Sequence, residues 1–266
     1  MIRLLFGLLL LMGLLPRASV SAECDLAAMV DNCSMNPTAV KYRWLLIGLC
    51  KGTPTIPTAT TALAYPNCEI LYDKIDEGGK VIEWNAPGDF GEFADELSIP
   101  ANGTYDYVVY AVGKEYWVKF DVEFPTAMKT YGSSYSVSSG KFCRTIAGTN
   151  YHDLGMRERT LVCSDAHQEP EYTSGEFWGL GGIDSCSHWT GRYIKPDRTL
   201  ATAFQEAIAL VVVTPIDSLT ISSDTSILEL NWAFDELYRI DTDTSREASG
   251  WFWPLHTCPT FGISAQ

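Results

Sequence analysis

The sequence predicts an all-β protein: an antiparallel β-sandwich stapled by disulfides, of the jelly-roll or Ig-like kind, with long loops. Three observations predict it. In YWVKFDVEF, Val118, Phe120, Val122 and Phe124 fall on one side, and Lys119, Asp121 and Glu123 on the other; that two-residue period marks a strand with one buried face. Short runs of this kind recur between Gly, Pro, Asn and Ser turns, and the helices of about 10 to 15 residues that βαβ units need between strands are missing. Eight Cys follow an apolar leader, an even count that reads as a disulfide framework.

The leader has Arg3, an apolar stretch from Leu4 to Leu15, and the small residues Val20, Ser21 and Ala22. This is the pattern of a secretory signal peptide over residues 1–22. The stretch is shorter than the roughly 20 residues of a membrane span, and no later run is long enough, so no transmembrane segment is expected. Residues 23–266 are then expected to form a single secreted domain, extracellular or at the cell surface, or periplasmic in a Gram-negative host. Cys24, Cys33, Cys50, Cys68, Cys143, Cys163, Cys186 and Cys258 all lie in it. Pairing between sequence neighbours is the expectation, and the absence of CxxC or His-spaced Cys argues against zinc. Lys and Arg number 19 against 33 Asp and Glu, for a charge of −14; such a surface repels nucleic acid and anionic lipid.

Element by element, LAAMVDNC near the mature start suits one or two helical turns. Lys41 to Cys50 is apolar on both sides, as a central strand would be. Lys51 to Asn67 is rich in Thr, Pro and Ala without core periodicity, and reads as an exposed loop between Cys50 and Cys68. In CEILYDKIDEGGKVIEW two strand-like runs flank Gly78-Gly79, a pair suited to a hairpin because both residues tolerate positive φ. Asn102-Gly103 is a turn signal. Tyr105 to Val112 alternates and leads through Gly113-Lys114, read as a turn, into Tyr116 to Phe124. Residues 164–196 are Gly-rich, aromatic and irregular, and are expected to be a loop insertion, a feature that is often functional. TLATAFQEAIALVVV reads as a strand with a helical or irregular lead-in, since Val211 to Val213 favour a strand. Leu228, Leu230, Trp232 and Phe234 alternate with Glu229, Asn231 and Asp235, after a turn at Ser222 to Thr225. At the C-terminus Phe261 and Ile263 alternate with Gly262 and Ser264, as a last strand would.

Leu97, Pro100, Gly103 and Tyr105 in LSIPANGTY resemble the turn-and-strand motif of secreted prealbumin-like and collagen-adhesin-B-like β-sandwich modules. The resemblance spans residues 97–112. It implies an extracellular sandwich of the sort used in stalks, pilins and accessory domains, and so a structural role.

The search for chemistry yields candidates rather than a motif. His152, His167, His188 and His256 include no HExxH, and GxSxG is absent. Asp184, Ser187 and His188 are triad residue types, but neighbours in sequence rarely form a triad, and a polar loop is the simpler reading. Glu171, Glu176 and Asp184 are the carboxylates that a glycoside hydrolase would draw on; a solvated acidic loop is the simpler reading of them. No cofactor is expected. Ca²⁺ is the one ion the pattern suits, at Asp241 and Asp243 in DTDTSRE, although an EF-hand would carry Gly where Arg246 stands and Glu where Phe252 stands. Trp178 and Trp189 are the candidate ligand-binding residues, because exposed Trp stacks on sugars or anchors an interface; Trp251 and Trp253 lie in similar segments. Asn32-Cys33-Ser34 and Asn102-Gly103-Thr104 are N-glycosylation acceptors in a eukaryotic host.

Three functions fit, in this order. The first is a structural or surface-assembly protein that self-associates or meets a cell-surface partner, with strand exchange through residues 23–37 or 259–266 as a mechanism. The second is a glycan-binding or adhesin module, and the third a secreted carboxylate-dependent glycoside hydrolase.

Overall fold

The structure is a computed structural model. It describes residues 33–35, 37–85, 97–131, 137–150, 152–153, 156–157, 161–176, 190–225, 228–233, 238–243, 247–254 and 260–265. The leader, the LAAMVDNC segment apart from Cys33, and residues 177–189 lie outside that description. Among the described residues the chain is almost entirely strand, with a 3-10 turn at Phe204–Glu206 as lead-in to a strand. No helix among them is long and apolar enough to cross a membrane.

The first strands are β1 (Cys33–Met35), β2 (Ala39–Cys50), β3 (Cys68–Asp73), β4 (Lys80–Trp84) and β5 (Gly103–Lys119). Next come β6 (Asp121–Tyr131), β7 (Val137–Thr145), β8 (Gly148–Asn150), β9 (His152–Asp153), β10 (Met156–Arg157) and β11 (Leu161–Ser164). The last are β12 (Thr173–Glu176), β13 (Thr190–Ile194), β14 (Ala209–Ile221), β15 (Leu228–Ala233), β16 (Tyr238–Asp243), β17 (Glu247–Pro254) and β18 (Thr260–Ala265).

Two long strands, β2 and β5, form the spine of the larger sheet, paired antiparallel over nearly their whole length. Shorter strands share each flank end to end. On the β5 side, β14 pairs the first half and β12 the second. On the β2 side, β3 pairs Leu46 to Cys50 and β4 pairs Val40 to Trp44. The second sheet has the order β1-β16-β17-β6-β7-β11. Most pairs are antiparallel, as predicted; β12–β8 and β17–β6 are parallel.

The two sheets meet at Phe120. There β5 gives way to β6, so one chain segment turns a corner between sheets, as sandwich folds allow. Val118, Phe120, Val122 and Phe124 are all buried, so the facing read from the alternation holds across the break. They join Tyr42, Trp44, Tyr110 and the Cys143–Cys163 disulfide in one core between the sheets. Burying a side chain such as Phe120 stabilises by roughly 1.5–3 kcal/mol. Thr145, itself fully buried, fixes the corner: its hydroxyl accepts the Phe120 amide and donates to the Glu171 carbonyl. At the other end of β5, the Tyr105 hydroxyl donates to the Ala101 carbonyl. This ties the preceding turn to the strand, as a tyrosine corner does.

Five expectations are corrected. Gly113-Lys114 is not a turn, because β5 runs straight through it. Gly113 serves close approach instead: a Cβ there would lie 3.1 Å from the Arg43 Cβ, where the β2 register slips. Gly78 and Gly79 do take positive φ, but β3 and β4 do not pair with each other. Both dock on β2, and Gly79 passes so near it that a Cβ would strike the Trp44 carbonyl. Ser222 to Thr225 forms a turn, closed by Thr225 N donating to Ser222 O; the strand after it, β15, pairs with β18 rather than with β14. Residues 164–196 are not a single irregular insertion, since they contain β12 and β13.

The fifth correction concerns residues 51–67. Ten of these 17 residues are exposed, as expected, but the loop lies against the sheet instead of standing clear of it. Pro54, Pro57 and Leu63 are buried, and Ile56 and Tyr65 pack onto a second core with Ile75, Val109, Ala111, Ile194 and Val211. The larger sheet is therefore covered on both faces at this end. Loop periodicity gave no sign of it, because the loop contributes single apolar residues rather than a stripe. The Cys50–Cys68 disulfide closes the loop, as expected, and a closure of this length stabilises by about 3 kcal/mol.

Candidate interaction face

The loops cover only half of that second face. Alternation along β2 places Lys41 and Arg43 on it, since Val40, Tyr42 and Trp44 point into the core between the sheets. The same logic on β5 puts Glu115, Trp117 and Lys119 there, opposite Tyr116 and Val118. Val81 and Glu83 of β4 and Ser174 and Glu176 of β12 complete it by register: Glu83 faces Lys41, Val81 faces Arg43, Glu176 faces Glu115, and Ser174 and Lys41 flank Trp117. Tyr172, just before β12, folds onto the same surface.

The polar groups here are ordered by one another. Lys41 Nζ lies 2.9 Å from Glu83 Oε2 and 3.9 Å from the centroid of the Tyr172 ring. Lys119 Nζ lies 4.4 Å from that centroid. Such cation–ring contacts are each worth about 0.5–1 kcal/mol at exposed sites. The Tyr172 hydroxyl donates to Glu83 Oε1 at 2.6 Å. That bond, followed by Lys41, holds the Glu83 carboxyl below the usual carboxylate range. Burial, then the Glu83 carboxylate, pushes the Tyr172 hydroxyl up. Arg43 reaches across to donate to the Gly78 carbonyl and lies 6.0 Å from the Trp117 ring. Trp117 stays outside both hydrophobic cores and is partly exposed. A sheet surface results, with a partly open indole among three cations and three carboxylates. It is suited to contact rather than to enclosing a small substrate.

Two further clusters act as ties. Arg198, at φ 64°, donates to both Asp73 oxygens, to Asp76 and to the Tyr65 hydroxyl, while its carbonyl accepts the Leu63 amide. It straps the 51–67 loop and the 74–79 turn to the segment before β14. At the corner, Arg144 bonds Glu171 and Gln168, and Glu171 accepts the Ala147 amide. Beside them His167 Nε2 sits 2.7 Å from Asp121 Oδ2.

The residues singled out from sequence are only partly gathered. Cys50–Cys68 and Cys143–Cys163 are disulfides between sequence neighbours, each joining residues directly opposite on paired strands. Cys33 lies on β1, while Cys24, Cys186 and Cys258 fall outside the described residues. So do Trp178, Trp189, Asp184, Ser187 and His188. Of the three carboxylates, Glu171 is the corner ion pair and Glu176 ends β12. Asp241 and Asp243 stand on β16, opposite Ser249 and Glu247 of β17, so their segment is one arm of a hairpin. No group of three or more metal-ligating side chains occurs among the described residues. The face around Trp117 went unnoticed in the sequence. Its signal was the polar side of β2 and β5, Lys41-Arg43 and Trp117-Lys119, which reads as ordinary solvated surface.

Compared with protein-family models, with curated proteins and with solved structures, the chain finds no match.

Proposed function

We propose that the chain is a secreted or cell-surface structural protein whose copies associate. One observation supports this reading above the others: the half-open face of Lys41, Arg43, Trp117 and Lys119 on a doubly covered, disulfide-closed framework. A rigid sheet that keeps an indole and three cations partly exposed is built for contact. Of the two ends considered for strand exchange, Cys33–Met35 pairs with β16 and Thr260–Ala265 with β15, while residues 23–32 lie outside the described residues. Association through the face leaves these pairings in place. The test is electron microscopy and light scattering of the mature protein over a concentration range. Concentration-dependent assembly supports the reading, and a persistent monomer overturns it.

A second reading draws on the same residues. Trp117 next to Lys41, Glu83 and Ser174 also offers a sugar chain a stacking ring flanked by hydrogen-bonding groups. Glycan binding by a persistent monomer, lost in Trp117→Ala, would put that reading first.

A further inference from the structure

The chain is acidic, with 33 Asp and Glu against 19 Lys and Arg, yet residues 52–67 carry no charge. At the tip of that loop Thr58, Ala59, Thr60, Thr61 and Ala62 are all exposed. None is larger than threonine, so the tip adds nothing to a core, and small residues of this kind are poor interface anchors. What it presents to solvent is hydroxyl groups. Thr and Pro crowded together on a secreted chain are the composition that carries O-linked sugars. We infer that the tip is an O-glycosylation site, with Thr60 and Thr61 as its acceptors. The inference rests on the secreted half of the proposed function and is independent of whether copies associate.

The backbone decides which hydroxyls are available. Thr55 N donates to Ala64 O, Thr58 N to Thr61 O, and Leu200 N to Thr58 O, each at 2.9 Å. These bonds fix the backbone of the tip, so presenting a hydroxyl to an enzyme orders little more chain. The Thr58 hydroxyl is used inside the turn, where it accepts the Thr60 and Thr61 amides. The hydroxyls of Thr60 and Thr61 bond nothing among the described residues. Thr55 is half-buried in the bridge to Ala64, and Thr53 stands at the disulfide-closed base. In the transfer, Oγ1 of Thr60 or Thr61 bonds to the anomeric carbon of a phosphate-activated sugar. The sugar–phosphate bond breaks, the phosphate leaves with the bonding electrons, and the hydroxyl proton passes to a base on the transferase. Exposed tips of small polar residues are where proteases nick a chain, and sugars at this position shield the tip.

The experiment uses the full chain as its native host secretes it. N-linked sugars, for which Asn102 is an acceptor, are removed first with an amidase. The peptide spanning residues 51–67 is then sequenced by electron-transfer fragmentation, which leaves O-linked sugars in place, and the N-terminus is read on the same sample. Mass increments of whole sugar residues are expected on Thr60 or Thr61. Thr60→Ala/Thr61→Ala should lose them, and Thr60→Ser/Thr61→Ser should regain them. Near-UV circular dichroism and the melting midpoint verify that both variants are folded. Limited proteolysis should cut the alanine variant between residues 58 and 62 and spare the glycosylated chain there. A cleaved leader with bare threonines overturns the site while leaving secretion standing. Sugar confined to Thr53 or Thr55 overturns the choice of acceptors, and phosphate on Thr60 or Thr61 overturns the class of modification. An intact leader on a chain kept inside the cell overturns secretion and the site together.

Discussion

Tyr172 donates its hydroxyl to Glu83 at 2.6 Å, joining residues 89 positions apart and holding the loop before β12 onto β4. The bond has a pH signature. The Glu83 carboxyl is depressed in the folded state, first by Tyr172 and then by Lys41. Its stabilising contribution is therefore present above the unfolded carboxylate value of about 4.3 and is lost as pH falls through the folded value. Tyr172→Phe should move the Glu83 midpoint up and reduce stability at neutral pH by about 1 kcal/mol. Carboxyl ¹³C titration and urea unfolding at pH 7 read both effects; an unmoved midpoint would show that Lys41 alone sets the shift.

Thr145 offers a sharper test of the sheet-to-sheet corner. Its hydroxyl is the acceptor for the buried Phe120 amide and the donor to Glu171 O. Thr145→Val keeps the shape and removes both bonds, so the loss is of hydrogen bonding rather than of packing. Destabilisation of roughly 1–3 kcal/mol is expected in urea, with the m-value unchanged. A neutral substitution would mean that the corner is held by the Phe120 side chain alone.

Facing was legible in the sequence and partnership was not. The burial of Val118, Phe120, Val122 and Phe124 follows from a local period of two, and the alternation survives the break at Phe120. Strand partners depend on surfaces far apart in the chain. Nothing local to Gly78-Gly79 says that the flanking strands both belong to β2, since a Gly pair equally permits a hairpin and a close pass over Trp44. Gly113 misled for the same reason: a glycine marks either a turn or a neighbour too near for a Cβ, and here the neighbour is Arg43. The contact face has the least local signal of all. Lys41, Trp117 and Tyr172 are unremarkable singly and become a surface only through the registers that set β2, β5 and β12 side by side.

Arg198 has a consequence for the loop that it straps. Its guanidinium reaches Asp73, 125 positions away, and its carbonyl holds the Leu63 amide. Burial, only partly offset by Arg198, raises the Tyr65 hydroxyl to about 12, so this ring stays neutral at any working pH. Arg198→Lys keeps the charge and loses the fork that spans Asp73 and Asp76. Hydrogen bonds to charged groups contribute about 1.5–3 kcal/mol. Local opening of residues 51–67 should therefore speed exchange of the Leu63 amide roughly ten- to a hundredfold while the β5 amides keep their protection. If the β5 amides accelerate equally, the loop does not open on its own.

His167 provides the opposite pH sign to Glu83. Its Nε2 lies 2.7 Å from Asp121 Oδ2, and Phe142 meets the ring edge-on. The hydrogen bond and charge of Asp121, helped by Glu169 and Glu123, raise the imidazole above its ordinary value. A raised folded value means that the pair contributes fully below the unfolded value of about 6.5 and is lost as pH climbs through the folded one. The effect on stability is small because the ring is exposed and the pair is screened, so the titration itself is the measurement. Proton NMR of the imidazole, assigned by its absence in His167→Gln, should show a midpoint above the free value that falls in Asp121→Asn and, by less, on adding salt. Glu123 and Glu169 remain in that variant, so the midpoint should stop short of the free value. A midpoint that ignores Asp121→Asn but follows salt would assign the shift to the general acidity of this surface instead of to the pair.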